Sequence, residues 1–288
     1  LVLVPAHTPA TQALVESILY PLWDSGLKVG QSVRTVQECA DYAKEDLHLR
    51  VALLETRLLC GAPSLFNQIE AKVSEMLSGE FWRPLARSIV ESQRKRREKA
   101  GGSAYLQEPD LKNGVGALRD VQGCVWLARI ARGVAGLGAA GFLPIGDLQK
   151  FEQAKATLLR LRCELHFQVT RPTEQLSLER QDTMSEALGH RGTLTERIGA
   201  LMREYFDAAD HVRRCVEMVE GAVMGEPEPA GWGEPLLVDG LRIVRGGTVS
   251  AQHRLVFEED PGRLVRLFRH CQVHEARPER ALSLLVRE

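Results

Sequence analysis

The chain has 288 residues, 44% hydrophobic and 26% charged, the balance of an ordinary globular protein with length for two domains. A formal net charge of −1 argues against a general nucleic-acid binder, and no apolar run reaches the length of a membrane span. Cys39, Cys60, Cys124, Cys163, Cys215 and Cys271 are scattered without a Cys-x-x-Cys pair, and no signal peptide is visible, so they read as reduced thiols of a cytoplasmic protein.

Residues 1–4 are a continuous apolar run, suited to a strand covered on both faces. The chain opens inside that run without Met and stops inside an amphipathic pattern, so both ends read as cuts. Thr8 before Pro9 marks a helix start, with Leu14, Ile18, Leu19 and Leu22 facing inward as far as Gly26. Residues 27–33 read as a short strand and turn. Thr35 and Glu38 form a capping box that opens a second helix to about Lys44. Leu47, Leu49 and Val51 then alternate with Asp46, His48 and Arg50, which predicts a strand.

Beyond Ala52 the pattern turns helical, with helices predicted over 52–60, 63–77, 79–99, 117–132, 146–169, 174–188 and 194–223. The period is clear where Leu158, Leu161, Leu165 and Phe167 interleave with Arg160, Arg162 and Glu164. Residues 226–235 form a Pro- and Gly-rich linker. Apolar residues 236–238 and 241–244 flank Asp239-Gly240, a hairpin signal. Asp260-Pro261 starts a further helix, and 277–288 reads as a last one. The expected fold class is α+β, mostly α.

Several positions carry charge where chemistry would need it. Lys112, Gly114, Gly116, Arg119 and Asp120 lie around a predicted helix start, where backbone N–H groups favour an anion; a tight turn is the plainer reading. Asp46 is either an exposed residue after a helix or a carboxylate at the head of a strand. Lys28 and Arg34 suit phosphates, Ser32 can hydrogen-bond one, and Gly30 lets the backbone approach; a solvated strand edge explains them too. The basic run from Arg94 to Lys99 reads as a solvated face, or else as a steering patch for an anion. His270 and His274 stand four apart without a third ligand, and His166 reads as a packed histidine.

The run Glu108-Pro109-Asp110-Leu111-Lys112-Asn113-Gly114-Val115-Gly116-Ala117-Leu118-Arg119-Asp120-Val121-Gln122, followed by Trp126, resembles a signature of the bifunctional protein-PII uridylyltransferase/uridylyl-removing enzymes. Ala117 stands where that family usually has a second Gly. Residues 22–35 are a second match, with Gln31 where the family has His. The resemblance implies a polymerase-β-like nucleotidyltransferase that uses Mg2+ and UTP to attach UMP to the PII signalling protein. It implies that Lys28, Gly30, Ser32 and Arg34 face the nucleotide and that Asp46 is the third metal-binding carboxylate. The 112–120 loop would close the cleft. An Asp-x-Asp strand, a phosphohydrolase domain and glutamine-sensing domains complete the family's pattern, and none of these is matched in the chain.

The expected organisation is the end of a nucleotidyltransferase domain at 1–61, a helical domain at 62–225, and a linker and connector at 226–288. With one of three carboxylates, the chain alone is expected to be inactive. Two other readings stay open: a catalytically dead module that binds nucleotide or PII, and a related nucleotidyltransferase that does not act on PII.

Overall fold

The computed structural model describes residues 1–77, 82–134, 136–225 and 232–286. It is α+β and mostly helical, in two compact units, Leu1–Met224 and Gly225–Glu288. Among the described residues no helix is long and apolar enough to cross a membrane.

The first unit opens with β1 (Val2–Leu3), α1 (Pro9–Asp24) and β2 (Val33–Arg34). The strands pair in parallel, Val2 with Val33 and Leu3 with Arg34, so α1 is the crossover between them. Thr8 caps α1 through a reciprocal bond with Thr11. Its inward face is Val15 and Leu19; Leu14 and Ile18, expected inside, are 57% and 42% exposed. The expected strand at 27–33 shrinks to β2, and Leu1 is exposed rather than covered.

Next come α2 (Val36–Glu45), opened by the Thr35–Glu38 capping box, and α3 (Leu47–Leu54). The strand predicted at 46–51 is this second helix. Asp46 is its N-cap, and Oδ1 accepts the N–H groups of His48 at 2.8 Å and Leu49 at 3.3 Å. Three alternations are too few to separate period 2 from the helical spacing of Leu47, Val51 and Leu54, and a capping Asp settles it. Leu53 and Leu54 are fully buried, and the helix expected at 52–60 ends there.

The bundle is α4 (Pro63–Met76), α5 (Trp82–Lys99), α6 (Leu118–Arg132), α7 (Leu137–Ala140), α8 (Ile145–Phe167), α9 (Leu178–Ala187) and α10 (Leu194–Met224). The 31-residue α10 packs on α5, α6, α8 and α9 and is the axis of the bundle. Its buried side chains, among them Leu201, Tyr205, Val212, Cys215 and Val219, recur at helical spacing. In α8 the buried set is Phe151, Ala154, Leu158, Leu161 and Leu165, whereas Phe167 is 85% exposed. A continuous core runs from Cys39 through Leu53 and Leu54 to Val223, so the boundary expected at 61/62 falls inside one compact unit. Residues 174–176, expected to be helical, are extended instead, with Leu111 N–H donating to Glu174 O and Leu176 N–H to Pro109 O.

The second unit is a four-stranded sheet of β3 (Trp232–Val238), β4 (Leu241–Arg245), β5 (Thr248–Ala251) and β6 (Arg277–Pro278), in that order. Asp239 (φ 55°) and Gly240 (φ 72°) make the expected two-residue hairpin turn between β3 and β4. Of the expected linker, 226–231 lie outside the described residues, and 232–235 are strand. The helices are α11 (Val256–Glu259), α12 (Gly262–Val273) and α13 (Arg280–Leu285), so the last predicted helix is preceded by β6. Leu241, Ile243, Val249, Val256 and Leu267 form a separate core.

Candidate functional site

The densest polar construction in the first unit surrounds the 110–120 loop. Asp110 starts it as a turn residue, with Oδ1 accepting the N–H groups of Lys112 at 2.8 Å and Asn113 at 2.6 Å. Gly114 N–H returns to Asp110 O at 3.0 Å, and Gly116 N–H donates to Asp120 Oδ2 at 2.7 Å. Arg119 N–H donates to Lys112 O at 2.9 Å. The N–H groups of Lys112, Asn113, Gly114, Gly116 and Arg119 are therefore spent within the loop, which has the bonding of a tight turn. The turn is forced close to α10: at Gly116 (φ +72°) an added β-carbon would stand 1.9 Å from Ala209 O.

Asp120 is the buried centre of this construction, with a side chain 1% exposed. Arg96 of α5 donates to Asp120 Oδ1, to Gln93 Oε1, and to the carbonyls of Asn113 and Gly114. Arg97 lies 3.6 Å from Asp120 and pairs with Glu220 of α10. A single carboxylate thus ties α5, the loop and α6 together, and Arg97 extends the tie to α10. Burial pulls the Arg96 guanidinium down from its ordinary value against the opposing pull of Asp120, and burial pushes the Glu220 carboxyl up. The basic run was expected to be solvated or to steer anions; two of its cations turn inward instead. The signal was present: Leu85, Ala86, Ile89, Val90 and Gln93 form the buried stripe of α5, and helical spacing extends it to 96 and 97.

Further ties hold the same region. Arg162 grips Glu174 through two bonds of 2.6 Å, holding its carboxyl below the usual range, and Lys112 approaches it at 3.5 Å. His166, as expected, is packed and bonded to Thr173 O at 3.1 Å. Arg119 donates to Gln122, which with Trp126 donates to Glu55 at the end of α3. Neither Glu55 nor Glu174 was singled out from sequence, because nothing local marks their partners.

The remaining expected residues lie apart. Lys28 is exposed, and Gly30 has open space around it. Ser32 O accepts Val2 N–H at 2.8 Å. The Arg34 guanidinium stacks 4.5 Å from the Tyr42 ring, with Nη1 buried and lacking a hydrogen-bond partner. Asp46 is exposed and committed through Oδ1 to capping α3. Among the described residues no hydrogen bond or ion pair joins 28–34 to 112–120, and no three His, Cys, Asp or Glu side chains are placed to hold a metal. The described residues therefore do not fit a two-metal site by themselves. His270, in the second unit, bonds to Asp239 Oδ2 at 3.0 Å and stacks on His274 at 6.1 Å.

Comparison with known proteins adds to this geometry. Residues 85–220 match the family model described as GlnD PII-uridylyltransferase, and Arg96, Arg97, Asp120 and Glu220 all fall within that match. The chain belongs to the PII-uridylyltransferase family. A bifunctional uridylyltransferase/uridylyl-removing enzyme of Cereibacter sphaeroides is 36% identical across 71% of this chain and 22% of its own length. One of Rhodospirillum rubrum is 32% identical across 93% of this chain and 30% of its own length. The chain thus spans less than a third of the curated relatives it matches. In this family member the latch around Asp120 lies inside the matched segment, whereas Lys28, Gly30, Ser32, Arg34 and Asp46 lie N-terminal to it.

Proposed function

We propose that the chain is part of an enzyme that transfers UMP from UTP to a tyrosine of the PII protein and, in its longer form, removes it. The observation that carries this reading is the match of residues 85–220, the segment built around Asp120, to the PII-uridylyltransferase model. In the transfer, the tyrosine oxygen forms a bond to the α-phosphorus while the bond to the bridging oxygen breaks and pyrophosphate leaves. Charge accumulates on phosphate oxygens, so fixed cations and N–H donors supply most of the stabilisation.

Within that reading the bundle is a rigid support, and the α/β layer offers the nucleotide-facing groups. Arg34, with a buried N–H to spare, and Lys28 and Ser32 are UTP contacts. Asp46 keeps Oδ2 for a metal or a proton, while Oδ1 holds α3 in place. Magnesium needs further carboxylates beside Asp46.

The test is transfer of radiolabel from UTP to PII by the longer natural polypeptide. Label on PII is expected, with Arg34→Ala raising KM for UTP; the 288-residue chain alone is expected to transfer none. A longer polypeptide that leaves PII unlabelled overturns the reading. UTP binding without transfer would leave a binding module.

A further inference from the structure

Of the chain's tyrosines, Tyr205 is buried, whereas Tyr20, Tyr42 and Tyr105 are exposed. Tyr105 is the most open of them at 61%, in the loop that joins α5 to the 110–120 turn. Among the described residues it is also the exposed tyrosine whose hydroxyl meets a carboxylate, that of Asp210. Ala104, buried just before it, anchors the loop, so the Tyr105 side chain is held at the surface.

The surroundings of this hydroxyl are built by α10. The Tyr105 ring lies 5.7 Å from that of Phe206. Phe206, Asp210, Arg213 and Arg214 recur at helical spacing, so one face of α10 carries a ring, a carboxylate and two guanidinium groups in order. The hydrogen bond to Asp210 pushes the Tyr105 hydroxyl above its ordinary value, so at neutral pH the phenol keeps its proton. A carboxylate in that position can take the proton as the oxygen attacks. Arg213 donates to Asp210 Oδ1 at 2.7 Å, and Arg214 lies 3.1 Å from Oδ2. The charges of both reach the Tyr105 hydroxyl, so a phosphodiester formed there has cations beside it.

We propose that Tyr105 is a second acceptor of the transferase, and that the enzyme attaches UMP to its own Tyr105 hydroxyl. The Tyr105 oxygen forms a bond to the α-phosphorus of UTP while the bond to the bridging oxygen breaks. Pyrophosphate leaves, and the phenol proton passes to Asp210. The inference rests on the transfer reaction proposed above, because a tyrosine oxygen attacks UTP in both.

The longer natural polypeptide tests this when incubated with Mg2+ and UTP labelled in its α-phosphate, with and without PII. Label is expected on the polypeptide itself when PII is absent, and peptide mass mapping should place a UMP group on Tyr105. Tyr105→Phe keeps a ring against Phe206, so it should lose that label with its thermal melt and its labelling of PII unchanged. Asp210→Asn keeps the side chain's shape but not its basicity, and should slow Tyr105 labelling about 100-fold or more. Label that persists in Tyr105→Phe overturns the inference and leaves the function standing. So does labelled PII beside a polypeptide that stays bare. Labelling of Asp210→Asn at the wild-type rate overturns the role of Asp210 as the base. Label on Tyr105 with PII never labelled keeps the acceptor and overturns the PII reading. No label on either overturns both.

Discussion

At Gly116 the φ of +72° and the Ala209 oxygen 1.9 Å from any β-carbon act together, so Gly116→Ala should cost about 3 kcal/mol or more in urea denaturation. Asp120→Asn tests the neighbouring latch. It leaves Arg96 and Arg97 buried without their shared counter-charge, and a loss of about 3–5 kcal/mol is expected, read as a lower urea midpoint. A change below about 1 kcal/mol would mean that Glu220 and the loop carbonyls suffice to hold the two guanidinium groups. Asp46 separates structure from chemistry differently. Asn caps a helix as well as Asp does, so Asp46→Asn should keep the melting temperature but abolish label transfer by the longer polypeptide.

Caps decide the elements of the α/β layer. Thr35 and Glu38 bind each other's backbone N–H at the start of α2, and Thr35→Ala should cost about 1 kcal/mol by denaturant titration. The Thr35 backbone N–H and His7 bring the Glu38 carboxyl down to about 2. That capping box was legible in the sequence because its partners are three residues apart. The helix begun by Asp46 was not, because six residues of alternating hydrophobicity fit either period and the capping bond that decides between them is invisible in one dimension. The same limit applies to α5. Its apolar stripe was readable, but which of five cations in the run turn inward depends on Asp120 and Glu220, which lie 24 and 123 residues from their Arg partners.

Across the molecule, most carboxylates with shifted titration are pulled below their ordinary values. Glu38, Glu174 and Asp210 in the first unit, and Asp239 and Asp260 in the second, all shift that way. A carboxyl whose folded value is depressed contributes stability above its unfolded value and loses it as pH falls through the folded one. The unfolding midpoint should therefore be nearly flat around neutrality and fall steeply below about pH 4. Glu220 runs the other way: its raised value means that ionising it costs the folded state as pH climbs past the ordinary 4.5. Glu174→Gln should shrink the acid limb, because Arg162 then loses a charged partner whose ionisation favours folding. An acid limb of the same size in that variant would remove Glu174 from the account.

The sequence by itself determined the class, mostly helical α+β, the spans of the long helices α6, α8 and α10, the hairpin turn at Asp239-Gly240, and the family resemblance on 105–126. These follow from periodicity, capping and turn residues, all of which act within a few positions of each other. Only the tertiary structure decided what the charged residues do. It turned Arg96 and Arg97 inward, spent the loop's N–H groups on Asp110 and Asp120, and left Lys95 and Lys99 facing an open groove. The physical reason is that burial and pairing are set by partners distant in the chain, so cations that look alike in one dimension meet different surroundings once the helices pack.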